Sequence, residues 1–203
     1  MKIKREGDRE LYVQIKIVFK NRYYRDRFVE LLKKIAEKSI LGSGGMSKLR
    51  GLSSARYILT RKGRSLITVV LAGGVFDILH PGHVAFLKDA KTHGDCLVVV
   101  IARDSTVRKR KGRPPTNPER DRLLVVSSLK HVDLAILGSE EGFEKTLEKV
   151  RPDIIFLGYD QHRDVMKIKQ VLKNRGGKII ASDNYLPGYS TSSIMRSIRS
   201  DSR

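Results

Sequence analysis

The stretch LAGGVFDILHPGH, residues 71–83, decides how the rest of the sequence is interpreted. It begins in an apolar run typical of a buried strand, passes through Gly73 and Gly74, and ends with His80 and His83. Glycines let the backbone approach a phosphate closely, and a helix N-terminus offers unpaired N–H groups with a partial positive charge. The stretch therefore predicts a strand, a tight turn and a helix suited to phosphate chemistry at the carboxyl end of a parallel sheet.

After this stretch, short apolar runs alternate with segments of helical spacing, as in a parallel sheet flanked by helices. The predicted strands are Leu66 to Leu71, Cys96 to Ala102, Val132 to Leu137, Ile154 to Leu157 and Lys178 to Ala181. The predicted helices are Gly82 to Thr92, Pro118 to Leu129, Phe143 to Val150 and Val165 to Asn174. Residues 66–203 are accordingly predicted to form one Rossmann-like, doubly wound α/β domain.

Residues 1–65 have a different character and are predicted to form a small, basic, mainly helical domain. They contain 18 Lys and Arg against 6 Asp and Glu, a balance of +12. An amphipathic helix is predicted from Tyr24 to Lys38, and the segment Ala55 to Leu66 resembles the end of a winged-helix domain. Two interpretations are open: contact with a DNA backbone, or a helical extension that packs on the α/β domain or builds a dimer.

Charge and cysteine content restrict the classes of function. The net charge of +19 favours polyanionic partners, either nucleic acid or phosphorylated small molecules. Cys96 is the single cysteine and is predicted to be a structural thiol in a buried strand, so a reducing cytoplasm is expected. The apolar runs are far shorter than the ~20 residues that span a bilayer, and neither a membrane span nor a signal peptide is predicted.

Gly74 to His83 match throughout the motif G-[TV]-F-D-x-x-H-x-G-H of the cytidylyltransferase family, which includes glycerol-3-phosphate, phosphocholine and phosphoethanolamine members. The chain thus resembles these nucleotidylyltransferases. The resemblance implies that His80 and His83 contact the α-phosphate and bridging oxygens of a nucleoside triphosphate. It also implies nucleotide contacts for the remaining residues of this region: Gly73, Gly74, Val75, Phe76, Asp77 and Gly82.

A second signature lies near the C-terminus, where GYSTSSI, residues 188–194, resembles the family's G-I-S-T-[TS]-x-I. Hydroxyls and backbone amides at the start of a helix can hold phosphates. The residues implied at the β- and γ-phosphates are Gly188, Tyr189, Ser190 and Thr191. In the glycerol-3-phosphate branch an arginine lies three residues before the glycine, where this sequence has Tyr185, and Arg113 and Arg196 are the candidate replacements.

Two matches lie between these motifs. The family has a lysine in a basic loop, an arginine eleven residues later and a Val-Asp pair after eleven more; Lys111, Arg122 and Val132-Asp133 have this spacing. Both Lys111, in a flexible loop that closes over the triphosphate, and Arg122 are therefore predicted to bind the phosphates. Gly158 and Asp160 match the glycine–acid element of the nucleotide pocket, where Asp160 is predicted to hold a base, a ribose or a metal-bound water.

The resemblance implies transfer of AMP or CMP from ATP or CTP to a phosphate-bearing acceptor, with pyrophosphate release, by a homodimer. Mg²⁺ is expected to arrive with the triphosphate, and no side chain is assigned as its ligand. Segments 102–107, 111–115 and 137–139, with Asp160-Gln161, most resemble archaeal FAD synthetases, which adenylylate FMN, whereas the C-terminal motif is closer to the cytidylyl branch. FMN adenylylation is slightly favoured. The alternatives are CMP transfer to glycerol 3-phosphate or another polar-head phosphate, and a DNA-binding regulator whose α/β domain senses a nucleotide.

Overall fold

The computed structural model describes residues 46–48, 57–59, 67–159, 161, 165–173, 177–183 and 186–200. The chain divides into two compact units, Met1–Thr68 and Val69–Arg203. The stretch of residues 71–83 belongs to the second unit.

In the first unit, strands β1 (Met46–Lys48) and β2 (Tyr57–Leu59) pair in antiparallel fashion, with Met46 opposite Leu59. The helix predicted for Tyr24 to Lys38 lies outside the described residues. The winged-helix interpretation therefore stays a prediction.

The second unit is built around a parallel sheet of five short strands. They are β3 (Val69–Gly74), β4 (Cys96–Ile101), β5 (Leu134–Leu137), β6 (Ile154–Leu157) and β7 (Lys178–Ala181). Their order across the sheet is β5-β4-β3-β6-β7, so the chain proceeds outward from β3 on one side and then continues on the other. The doubly wound prediction is confirmed. Beyond the carboxyl ends of β3, β4 and β6 lies the switch point at which open α/β sheets bind ligands.

Helices cover both faces of this sheet. They are α1 (Pro81–Thr92), α2 (Asp104–Lys111), α3 (Glu119–Ser127), α4 (Phe143–Val150), α5 (Val165–Lys173) and α6 (Thr191–Ser200). Alternate residues of β3 enter separate hydrophobic clusters, because successive side chains of a strand point to opposite faces. Val70 belongs to the same cluster as Leu87 of α1, whereas Leu71 belongs to that of Leu147 of α4. Burial on both faces explains why the strands are continuous apolar runs.

The predicted bounds of β6, β7 and α4 are confirmed, but β3 differs from its prediction. It begins at Val69 rather than Leu66 and continues through Gly73 and Gly74, which lie opposite Val100 and Ile101 of β4. Glycine has little strand propensity, so the apolar pattern that predicts the strand ends before the hydrogen-bonded ladder between β3 and β4 does. The strand therefore carries its backbone as far as the turn that precedes α1.

Residues 104–111 form helix α2, where the sequence predicts a flexible basic loop, so that prediction is wrong. Val107 is buried, and Gly112 ends the helix in the left-handed conformation while its N–H donates to the Arg108 carbonyl. Four cations occupy the last turn, where they interact favourably with the negative end of the helix dipole. With Val107 as the single buried residue, the helix has almost no apolar periodicity by which to recognise it.

Cys96, the first residue of β4, is buried, as its predicted structural role requires. Within the described ranges, no helix has both the length and the apolar character needed to cross a bilayer.

Candidate active site

The two motif histidines lie together at the start of α1. His80 is the N-cap residue, Pro81 is the first helical residue, and the N–H of His83 donates to the His80 carbonyl over 2.9 Å. A proline fits this position because the first helical N–H has no partner within the helix. The two imidazoles are stacked, with ring centroids 3.8 Å apart and planes inclined by 23°. The sequence spacing H-x-x-H thus brings both rings to the switch point of the sheet.

Burial controls the charge of this histidine pair. It lowers the pKa of His83 to about 4, with further lowering by His80 and Lys111 and an opposite effect of the Ile78 backbone. Burial also lowers the pKa of His80. Nδ1 of each ring is buried without a hydrogen-bond partner among the residues described. Both rings are therefore neutral at pH 7, and a neutral imidazole offers one N–H donor and one acceptor nitrogen.

The C-terminal motif reaches the same place. The Tyr189 carbonyl lies 3.6 Å from the position that a Cβ would occupy on Gly82. Gly188 has a positive φ of 83°, and Tyr189 is half exposed. The structure thus brings together two motifs that lie more than a hundred residues apart in the sequence.

Ser190 caps α6. Its hydroxyl accepts the N–H of Ser193, and the Ser193 hydroxyl accepts the N–H of Ser190, each over 3.0 Å. This reciprocal arrangement is a capping box with serine in the position usually taken by Glu or Gln. The Ser190 hydroxyl is therefore engaged in the helix cap. The N-terminal backbone of α6, including Thr191, is the part of the motif best suited to an anion.

Arg122 does not lie where the sequence prediction placed it. Its side chain has no exposed surface; Nε donates to the Asn117 carbonyl over 2.9 Å and Nη1 to that of Val75 over 2.6 Å. Nη2 donates to the Ala102 carbonyl over 2.8 Å and to the Asp104 carboxylate over 2.6 Å. Direct phosphate contact by Arg122 does not fit this placement, because four of the five N–H groups of its guanidinium are engaged and the side chain is enclosed.

Asp77 also has an internal role in place of the predicted nucleotide contact. Its buried carboxylate accepts the N–H groups of Thr116 and Asn117, over 2.9 and 2.8 Å. A carboxylate repels phosphate, and here it fastens the loop before α3 to the motif turn. Val75 and Phe76 lie in the same turn, where the Val75 carbonyl accepts from Arg122 and the Phe76 side chain is buried.

Lys111 is exposed in the last turn of α2, close enough to His83 to lower its pKa. Arg113 and Arg196, the candidate replacements for the family arginine, are both exposed. Asp160 and Tyr185 lie outside the described residues, and their predicted roles stay predictions. In the described part of the chain, no group of three or more His, Cys, Asp or Glu side chains could hold a metal ion.

Gln161 lies at the site, although its sequence pattern predicted no role for its side chain. Its Nε2 donates to the Gly73 carbonyl over 2.9 Å, and its Oε1 accepts the Gly158 N–H over 3.2 Å. The side chain thus joins the carboxyl ends of β3 and β6 beside the predicted nucleotide glycines. A glutamine after a strand has no pattern that identifies such a cross-strand contact, so only the register of the sheet shows it.

Residues 71–197 match the family model described as cytidylyltransferase-like. The chain is similar to an FAD synthase of Aciduliprofundum boonei, with 56% identity over 110 residues that cover 54% of this chain and 73% of the relative. It is similar to an FAD synthase of Thermoplasma acidophilum, with 48% identity over 129 residues, or 63% and 90% of the two chains. Among solved structures, a lipopolysaccharide core biosynthesis protein from Thermoplasma volcanium GSS1 matches with 48% identity and a TM-score of 0.56, over 59% of this chain and 99% of that one.

These matches agree with the two motifs that meet at the switch point of the sheet. The chain belongs to the cytidylyltransferase-like family and is a nucleotidylyltransferase of the FAD synthetase type.

Proposed function

We propose that the chain adenylylates FMN to form FAD. A phosphate oxygen of FMN attacks the α-phosphorus of ATP and forms a new P–O bond. The bond between the α-phosphorus and its bridging oxygen to the β-phosphate breaks, and pyrophosphate leaves with the electron pair. The nucleophile is already anionic, so the step requires no catalytic base and involves no oxidation or reduction.

The stacked, neutral pair of His80 and His83 at the start of α1 is the observation that carries this proposal. Each neutral imidazole keeps one N–H, which can donate to an oxygen of the α-phosphate or of its bridge. The FAD synthase names of the similar proteins favour FMN as the acceptor and ATP as the donor.

The remaining site residues have roles that follow from charge and placement. Lys111, exposed near His83, neutralises charge on the triphosphate, and the backbone at the start of α6 receives its β/γ end. ATP enters as its Mg²⁺ complex. Catalysis then depends on alignment and on stabilising negative charge in the transition state, as in other phosphoryl transfers.

Pyrophosphate release, measured with ATP or CTP against FMN, glycerol 3-phosphate or phosphocholine, tests the proposal. We expect release with ATP and FMN, and a fall of about 10²-fold or more in turnover for His83→Ala. His93→Ala is the matched control, because His93 lies at the opposite end of the same helix. Its turnover should equal that of the unmodified protein.

Each other outcome has a defined meaning. Release with CTP and glycerol 3-phosphate alone would replace FMN adenylylation by the cytidylyl alternative. No release with any pair, combined with tight and salt-sensitive DNA binding, would favour the regulator. Equal turnover of His83→Ala and His93→Ala would contradict the role given to the histidine pair.

We further propose that the protein acts as a cytoplasmic homodimer, and that residues 1–65 either pack on the α/β domain or build the dimer, or contact nucleic acid. The balance of +12 in that region is the observation that favours nucleic acid, since a basic segment attracts a polyanion. Such binding would depend on salt concentration, because each neutralised phosphate releases counterions. Light scattering gives the oligomeric state. Titration of duplex DNA with the full chain and with a 66–203 fragment, at two salt concentrations, tests the nucleic-acid contact.

A further inference from the structure

Four segments of the chain meet at the buried guanidinium of Arg122. Its acceptors belong to the turn after β3, the end of β4, the start of α2 and the loop before α3. A guanidinium presents its five N–H groups in a rigid planar fork, whereas a lysine ammonium is a compact point charge. Simultaneous bonds to four acceptors on separate segments therefore need arginine at this position.

The turn after β3 is fastened on both sides of Phe76. On one side the Val75 carbonyl accepts from Arg122, and on the other the Asp77 carboxylate accepts two backbone N–H groups. The Asn117 side chain adds a bond of 2.6 Å to the Asp77 carbonyl. Phe76 itself has a φ of +50°, a backbone conformation that residues other than glycine adopt at a cost of about 1 to 3 kcal/mol. Such a residue persists only where its surroundings determine its conformation.

The Phe76 ring contacts the histidine pair. Its centroid lies 5.1 Å from that of His83, at an inclination of 59°. On its other side, the ring lies within 2.8 Å of where a Cβ on Gly74 would be, so it fits only against a glycine. A change in the turn would move the Phe76 ring, and His83 packs against that ring.

We infer that Arg122 is a positioning residue for nucleotidylyl transfer, which fixes the Phe76 turn and through it the orientation of His83. The inference rests on the proposed role of the histidine pair and is independent of which acceptor is used. It assigns to Arg122 a function in turnover without any contact to substrate. The alternative, a phosphate ligand, predicts a different kinetic result.

Arg122→Lys is the informative variant, because it keeps the positive charge and removes the planar fork. We expect kcat to fall about 10²-fold, as displacements of about 1 Å from a reactive geometry do. The KM for the nucleoside triphosphate should stay within about twofold, because Arg122 makes no contact with it. We also expect the pKa of His83, measured by NMR titration, to rise from about 4 toward 6.5, because the loosened turn admits water to the ring.

Lys91→Met is the matched control. Lys91 is a partly buried cation that donates to the Asp95 carbonyl and pairs with Asp133 at the amino edge of the sheet, away from the histidines. Its loss should lower stability while kcat and the His83 titration stay unchanged. Asn117→Ala removes one side-chain bond to the same turn and keeps Arg122, so it remains informative if Arg122→Lys fails to fold. It should shift both readouts in the direction of Arg122→Lys by a smaller amount.

An unchanged His83 titration in a folded Arg122→Lys protein would overturn the inference, and so would an unchanged titration and kcat in Asn117→Ala. A raised KM for the triphosphate with an unchanged kcat would identify Arg122 as a substrate ligand instead. The titration needs no substrate, so a failure of FMN as acceptor is distinguishable from a failure of this inference.

Discussion

At the residue scale, the site depends on space left by small side chains. Gly82 lies between the two histidines, and a Cβ there would stand 3.1 Å from Cε1 and Nδ1 of the His80 ring. That ring is already stacked on His83, so it has little room to retreat. The glycine of the motif is thus explained by the close approach of the His80 ring, in addition to its helix position.

We expect Gly82→Ala to lower kcat by about tenfold or more, because His80 must move away from the reacting phosphate. The free energy of unfolding should change by less than about 1 kcal/mol, since the better helix propensity of alanine offsets part of the cost of crowding the His80 ring. Steady-state kinetics and urea denaturation measure the two effects. Lys88→Ala, at an exposed position six residues further along α1, is the control and should retain full turnover. Full turnover of Gly82→Ala would contradict the contact.

At the element scale, α2 shows how a helix can form with little apolar pattern. Its termination at Gly112, with a φ of +70°, places Lys111 at the end of the helix beside the histidine pair. A Cβ on Gly112 would meet nothing within 4 Å, so the requirement for glycine here is conformational. The position of Lys111 therefore depends on a backbone angle that alanine adopts with difficulty.

Gly112→Ala should lower the free energy of unfolding by about 1 kcal/mol, because the left-handed conformation is unfavourable for alanine. Asparagine tolerates this conformation, so Gly112→Asn should lose less. Gly138→Ala is the control glycine, since its Cβ would make only ordinary contacts and no positive φ is required there. Urea denaturation of the three variants tests the order, and equal losses at positions 112 and 138 would count against it.

At the scale of the whole molecule, the partly buried histidines couple stability to pH. The pKa of His83 is about 4 in the folded chain and near 6.5 when the chain is unfolded. Between these values the unfolded state binds a proton that the folded state does not, so stability falls as pH decreases from about 6.5 to about 4. The lowered pKa of His80 acts in the same direction.

We expect His83 to contribute up to about 1.4 kcal/mol per pH unit within this window, and nothing above it. Urea denaturation at several pH values between 4.5 and 7.5 measures the slope. His83→Gln should have a flatter dependence, because glutamine does not titrate while other acid-sensitive groups remain. Parallel curves for the two proteins would show that the pKa of His83 is the same in the folded and unfolded states, which contradicts its lowering by burial.

Local periodicity and a contiguous motif were enough to predict the α/β class, most strand and helix positions and the His80–His83 pair. The sequence did not identify α2, whose single buried residue leaves no period to detect. The sequence motifs predicted that Arg122 and Asp77 contact the nucleotide, because both residues belong to phosphate-binding patterns. Only the tertiary structure showed that their partners are the chain's own backbone, at Val75, Thr116 and Asn117. An arginine such as Arg122 can bind a ligand or a backbone carbonyl 47 residues away, and the residue type is the same in both cases. The partner is fixed only when folding brings distant segments together.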